Sequence, residues 1–454
     1  MRIFRNLQFL TILFIALYRI VKSQDVTDDR KYGCTWHGGS MARLSCNCEN
    51  GAEMTIKAES INSFSTSEIL INGCKSVKIE ANAVAEMRNL RALSLSKIGT
   101  IQLDTDSINW YGYKENSGQI EEERFDITVP SLKVNLYKSN ISQIQSHAFA
   151  GRISEITFED VSVDRLDPLA FVNLLQTEKI SIRDSVLRNV GVQSFKKFST
   201  EYVELINVSA DLLPSRAFSN ITVYQNFTIE NCTFNTVRPG GFTVYNPLVF
   251  QVTNTNVKDL NGEAFKVISR GRVIFRNNNF TRMDDGALRG ITFRKDMLLG
   301  ESLFVFDSNR LGKLSSGALS VSEPNVQFKN IYLGENCDCS DTDQKIKDSS
   351  YYEDIQCMSN NEYMTVTYFK AHMCSVASNY YIIIIVVCVV GTLVIALISG
   401  IVLYYKFVYR VRKYGDKKSE KKGNLSLIVP DGRTYRETEL HVIVERTDLL
   451  TTDL

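Results

Sequence analysis

Apolar residues recur through the middle of the chain on a fixed pattern. Phe149, Phe171, Phe195, Phe218, Phe242, Phe265, Leu288 and Leu319 serve as anchors, most of them preceded by Ala or Gly. Their spacings are 22, 24, 23, 24, 23, 23 and 31 residues, the last widened by an insertion around Phe293 to Gly300. Thirteen positions before the anchors lie Leu136, Phe158, Ile182, Leu205, Ile229, Val252, Phe275 and Phe306. Further apolar residues sit fifteen, eight and five positions before each anchor, among them Ile156, Val163 and Leu166 in one unit. The unit is therefore Φ-x-Φ, then Φ-x-x-Φ, then the anchor.

Each offset has a physical reason. The alternation in Φ-x-Φ suits a short strand with one buried face. A single unit of this length has no core of its own, so it buries its apolar face only by stacking on similar neighbours. Stacked units place the strands in a parallel sheet, with the anchors as a spine on the opposite side of the coil. Two looser units precede these, one with Ile69, Ile71 and Ile79 ending near Val84, the other with Leu93, Leu95 and Leu103 ending near Ile108. A charged, Tyr-bearing stretch between Trp110 and Pro130 fits no unit.

The clearest unit runs from Phe304 to Leu314, with Asn309 between its two apolar pairs and Ala318-Leu319 closing it; the unit of Val273, Phe275, Asn278, Phe280 and Met283 matches it. This pattern resembles the extracellular leucine-rich-repeat family. The resemblance implies an α/β solenoid, a horseshoe of about ten repeats with cysteine-rich caps. The family's Asn bonds neighbouring backbone; here that site elsewhere holds Ser139, Val161, Ser185, Val208, Cys232 and Thr255, and the two valines predict a less regular ladder. Cys232 reads as a buried free thiol within the stack. A parallel β-helix is the rival architecture, since it too stacks short strands.

The ends of the chain change the picture from a soluble solenoid to an anchored one. Arg2, Arg5 and the apolar run Leu7 to Leu17 read as a signal peptide, cleaved before Gln24. Ile382 to Leu403 holds no charged residue, is bracketed by Tyr380, Tyr381, Tyr404 and Tyr405, and is long enough to cross a bilayer. Between Lys406 and Lys422 eight Lys or Arg stand against two acids, which places the C-terminal side in the cytoplasm and makes the chain a plasma-membrane protein of type I. The expected organisation is a signal peptide (1–23), an N-terminal cap (24–67), repeats (68–333, with the insertion near 110–130), a C-terminal cap (334–379), a transmembrane helix (380–405) and a tail (406–454).

Cysteines and sequons suit that route. Cys34, Cys46, Cys48 and Cys74 cluster early, and Cys337, Cys339, Cys357 and Cys374 cluster before the membrane segment. An oxidising compartment makes each quartet two disulfides, with zinc binding by the C-x-C pairs the competing reading. The second quartet resembles the family's C-terminal cap; the first has longer gaps, which leaves its pairing open. Asn140, Asn207, Asn220, Asn226, Asn231 and Asn279 are N-glycosylation sequons and predict surface positions. Asn140, Asn207, Asn231 and Asn279 follow the strand on one flank, where glycans discourage binding, whereas Asn226 sits at the edge of the strand face.

Candidate chemistry points to recognition, not catalysis. The four histidines, His37, His147, His372 and His441, are scattered, and no hydrolase, metalloprotease or phosphate-loop motif is present. A net charge of +1 gives no argument for nucleic acid, and nothing calls for a cofactor or metal. The outward strand positions Glu155, Thr157, Glu159, Lys179, Arg183, Tyr202, Glu204, Arg272 and Arg276, with Ser181, form the expected face for an extracellular protein ligand. In the tail, Glu445 with Leu449 and Leu450 resembles the acidic dileucine signal read by clathrin adaptors, and Thr452 with Leu454 resembles a PDZ ligand. Thr392, Ala396 and Gly400 form a small-residue row of the kind that lets two membrane helices approach as a homodimer. These features fit an adhesion molecule or co-receptor, or alternatively an immune-type sensor that signals through a partner chain.

Overall fold

The computed structural model describes residues 30–39, 41–48, 51–61, 66–85, 87, 89–111, 131–294, 304–314, 317–321, 325–339 and 351–415. The chain divides into two units, Met1–Val376 and Ala377–Leu454.

In the first unit the Φ-x-Φ residues pair in parallel, coil on coil. Ile156 and Phe158 lie opposite Val134 and Leu136 on one side and Ile180 and Ile182 on the other. This front ladder continues through Val203 and Leu205, Phe227 and Ile229, Phe250 and Val252, and Val273 and Phe275 to Phe304 and Phe306. The second apolar pair of each unit forms a parallel flank ladder, in which Val163 and Leu166 lie opposite Ile141 and Ile144, and Val257 and Leu260 opposite Phe234 and Val237. A third parallel ladder starts at the anchors: Phe149 pairs Phe171, Phe195 pairs Phe218, and Phe242 pairs Phe265. The return path of these coils is thus short strand and turn, not helix. The chain is a β-solenoid, and its alternating side chains fill one continuous core.

The anchors are the spine of that core. Phe149, Phe171, Phe195 and Phe218 stack ring on ring with centroids 4.5 Å apart, and Phe242 and Phe265 continue the column at 5.2 and 5.4 Å. Phe227 meets both Phe218 and Phe242 edge-on at 5.9 Å, linking the spine to the front ladder. Offset and edge-to-face geometries of this kind add to burial because ring edges and faces carry opposite partial charge. Ala or Gly before the anchor leaves room for the turn.

Those turns are built from left-handed backbone. Two residues before the anchors, His147, Leu169, Gln193, Arg216, Gly240 and Glu263 all have positive φ. Each donates its N–H to the equivalent carbonyl one coil on, from His147 to Leu169 through Glu263 to Gly286. A second left-handed column closes the front strands at Asp160, Asp184, Asn207, Asn231, Asn254 and Asn277. Asn and Asp tolerate this region best among residues with a Cβ, which explains the composition of the column. Gly151 combines positive φ with a close approach: a Cβ there would lie 2.1 Å from the Trp110 carbonyl oxygen.

The polar site inside the coil forms a broken ladder. The backbone N–H groups of Cys232, Thr255 and Asn278 donate to Thr255 Oγ1, Asn278 Oδ1 and Asn309 Oδ1 at 3.3, 2.9 and 2.9 Å. Farther back, Ile98 N–H donates to Ser139 Oγ and Val161 N–H to Ser185 Oγ. Val161 and Val208 have no side-chain oxygen to offer the preceding coil, so the ladder skips there. Cys232 is buried and free, its Sγ donating to the Glu230 and Leu205 carbonyls.

Both ends are closed by disulfides. Cys34 pairs with Cys46 and Cys48 with Cys74; Cys337 pairs with Cys357 and Cys339 with Cys374. At the N-terminal end Ala42–Asn47 already stacks in parallel on Thr66–Asn72, with Cys34–His37 antiparallel on its outer edge. At the C-terminal end Ile355–Ser359 follows Ile331–Asn336, and Glu362–Thr365 pairs antiparallel to finish the sheet. At each end the antiparallel strand breaks the parallel coil pattern.

The helix Ser375–Gly415 leads into the second unit, and its stretch Tyr380–Val411 is long and apolar enough to cross a membrane. Within it Thr392 and Ser399 donate their hydroxyls to the carbonyls of Val389 and Ala396, which satisfies both groups without a partner outside the helix.

Truncating Phe218 to Ala removes a ring held by both stacked neighbours and by Phe227. The expected loss is about 3–5 kcal/mol of stability, read by denaturant unfolding. An unchanged midpoint would show that the spine does not couple the coils.

Candidate ligand-binding face

The outward side chains of the front ladder are set by its register. Glu155 lies opposite Lys133 and Lys179, Thr157 opposite Ser181, Glu159 opposite Arg183, and Lys179 opposite Tyr202. Arg272 and Arg276 stand farther along, opposite Val249 and Thr253. All nine candidate residues therefore lie on one face, although the last two are separated from the rest by the two coils carrying Thr228 and Gln251.

Register also makes the charges pair. Lys133 meets Glu155 at 3.1 Å, Lys179 meets Glu204 at 2.9 Å, and Arg276 meets Asp307 at 3.5 Å. Glu204 is the hub: the Arg183 guanidinium and the Ser181 hydroxyl both donate to its Oε2, while Lys179 holds Oε1. Burial pushes the Glu204 carboxyl upward, but the hydrogen bonds from Arg183 and Lys179 outweigh it, and its pKa ends below the ordinary value. The same contact raises Arg183. Pairs as open as Lys133 with Glu155 contribute little. The Glu204 cluster contributes more, because that side chain is only 21% exposed.

Between the charged columns runs a row of small polar side chains, Ser94, Asn135, Thr157 and Ser181, followed by Glu204, Thr228 and Gln251. Asn135 donates to Ser94 and Gln251 to Thr228 across coils. Tyr202 stands beside this row, 36% exposed. The face thus offers hydroxyls, amides and the rings of Tyr137 and Tyr202 over a pre-ordered sheet, and several of its charges are paired locally. Among the described residues no cluster of His, Cys, Asp or Glu could hold a metal ion.

The family model for BspA type leucine rich repeat region matches residues 118–231 and 164–294, in six copies. The fold is a leucine-rich-repeat solenoid. Those matched copies cover the coils from Leu132 to Ile291. No curated protein matches the chain.

Lys133 and Asp307, partners of Glu155 and Arg276, escaped the sequence analysis because a pair across coils appears only once register is fixed. The sequons take different positions. Asn140, Asn207, Asn220, Asn231 and Asn279 are exposed and Asn226 is half-buried. Asn207 donates Nδ2 to Asp184 Oδ1 at 2.6 Å, so that amide is engaged. The tail residues Glu445, Leu449, Leu450, Thr452 and Leu454 lie outside the described residues. Thr392, Ala396 and Gly400 share one face of the helix, as their spacing requires.

Burial pushes the Cys232 thiol up to about 11, ahead of the smaller opposing effect of backbone hydrogen bonds. Little thiolate then exists at neutral pH, and the thiolate is the reactive form. An alkylating reagent should leave Cys232 unmodified at pH 8 in the folded protein and label it in denaturant, as read by peptide mass spectrometry. Rapid native labelling would contradict its place in the core.

Glu204 sets a pH dependence of definite sign. Its folded pKa is lowered from an unfolded value of about 4.3, so its contribution is complete above that value and is lost as pH falls through the folded one. Glu204→Gln should cost roughly 1–2 kcal/mol at pH 7, and the gap to wild type should close as pH falls through the lowered folded pKa. A gap independent of pH would show that packing, not charge, holds this residue.

Proposed function

We propose that this chain is a membrane-anchored extracellular recognition protein whose front strand face binds a protein ligand, as an adhesion molecule or co-receptor without catalysis of its own. The observation that carries this reading is the front ladder, which runs in parallel register from Ala42–Asn47 to Val326–Lys329. It offers a long, rigid, pre-ordered surface, and a repeat solenoid characteristically uses such a surface to bind other proteins. Four disulfides favour an oxidising compartment. The apolar stretch Tyr380–Val411 favours a membrane anchor, and the basic residues after it favour a type I orientation.

The chemistry of the face sets the kind of ligand. Because Lys133, Glu155, Lys179, Arg183 and Glu204 neutralise one another, a strongly charged partner gains little there. A ligand with its own hydroxyl, amide and aromatic groups matches the half-buried Asn135, Thr157 and Gln251 of the polar row and the Tyr202 ring. Exposed aromatics at the centre of a face are the residues that most often dominate binding energy.

Cells displaying the full chain test both parts. An epitope placed at the N-terminal side should be reached by antibody on intact cells, and one at the C-terminal side only after permeabilisation. A panel of soluble extracellular proteins should then yield a binder whose affinity falls about tenfold in Tyr202→Ala, a loss of about 1.4 kcal/mol. Lys266→Glu, on the return face, should leave that affinity unchanged. The reverse sensitivity would place the ligand elsewhere and overturn the reading.

A further inference from the structure

The return ladder carries an exposed apolar patch that the front-face reading leaves unused. Tyr224, Leu248 and Ile268 are 46%, 43% and 39% exposed, with Tyr245 lying opposite both Thr222 and Ile268 in adjacent strands. Beside it lies a cleft of about 1030 Å³, lined by Tyr111, Leu175, Phe198, Asn220, Thr222 and Tyr224 among others. A second cleft of the same volume adjoins it, and Asn220 lines both.

Asn220 is a sequon, and the strand Phe218–Glu230 decides where it points. Along this strand Ile221 and Val223 are buried, so Asn220, Thr222 and Tyr224 share the outward face. Asn220 is exposed, with positive φ. Tyr245 donates its hydroxyl to Asn220 Oδ1 at 3.5 Å, a bond that does not involve Nδ2, the atom that would carry a sugar. Asn207 differs, since its Nδ2 is held by Asp184.

We infer that the occupant of this trough is the chain's own N-glycan at Asn220, which covers the Tyr224, Tyr245, Leu248 and Ile268 patch. A sugar ring has an apolar face that lies against an aromatic ring and an edge of hydroxyls that bond amides and carboxylates. The trough supplies both chemistries, with Tyr224 and Tyr245 beside the attachment point and Asn173, Gln176, Glu178 and Glu201 across the cleft. The attachment point fixes the first sugar within reach of both rings, so no separate binding event is needed. The consequence is local: this stretch of the return face is closed to protein partners. The inference rests on the secretory reading given above, because only a chain that passes through the secretory lumen receives such a glycan.

The test uses the full chain expressed in glycosylating cells. Peptide mass spectrometry reads occupancy at each sequon, and covalent footprinting reads exposure of Tyr224 and Tyr245. Asn220 should be occupied, and both tyrosines should become severalfold more reactive in Asn220→Gln and in Thr222→Ala, which removes the glycan without touching the asparagine. Thr222→Ser, which preserves the sequon, should keep them protected. Occupied Asn140 or Asn279 with a bare Asn220 overturns this inference alone, whereas bare sequons throughout overturn the secretory reading and this inference with it. Tyrosines equally reactive with and without the glycan overturn it, as does concentration-dependent protection in Asn220→Gln, which would make a second copy of the chain the occupant.

Discussion

No coil of this chain can bury its own apolar residues, and nearly every other feature follows from that constraint. One turn presents Ile156, Phe158, Val163, Leu166 and Phe171 to a single interior and has nothing beneath to cover them. Only a second turn in the same register supplies the missing partner. Stacking therefore fixes the parallel sheets, the common length of the coils and the alignment of like residues. It also makes stability a matter of nearest neighbours, with each interface contributing its own share. The phenylalanine column expresses this most directly, because a ring such as Phe195 touches the ring above and the ring below.

Stacking imposes a second demand, since every turn must satisfy its polar backbone within a fixed number of atoms. The left-handed columns answer it by aiming N–H groups along the solenoid axis at the next coil. Asn and Asp fill most of the column that closes the front strands because they adopt this conformation at low cost. The interior oxygen ladder from Cys232 to Asn309 answers the same demand with side chains. Where Val161 and Val208 interrupt it, burial replaces the hydrogen bond and the coil spacing is preserved. The ladders tolerate such exchanges because the surrounding Φ positions keep the register.

The period, the buried offsets and the anchors were legible in the sequence because burial is a property of single positions, and apolar residues mark it. The three-ladder cross-section was less so. The alternation of Asn220, Thr222 and Tyr224 with buried Ile221 and Val223 announces a return strand, but the expectation of a helical return from the family resemblance obscured it. The N-terminal cap also conceals a stacked strand, since Cys46 stands where a larger aliphatic residue would be expected. At the candidate face, individual outward residues could be named in advance. Their pairing could not, because Glu204 is remote in sequence from Lys179 and Arg183 and meets them only when adjacent coils align. Charge counting over a repeat protein thus overstates the field a ligand meets, and register is the information that corrects it.

The same register makes the faces of the solenoid unequal. On the front, cross-coil ion pairs such as Lys179 with Glu204 tie neighbouring coils together. A ligand that competed for those charges would weaken the contacts that keep its own binding surface flat. Binding there is therefore better supported by groups that leave the pairs intact, which are the hydroxyl row and Tyr202. On the return side the Tyr224, Leu248 and Ile268 patch carries no charge, so covering it breaks no ion pair. One side is suited to discriminate among partners and the other to be sealed, a division that arises because one repeating unit must present different residues on each edge of its coil.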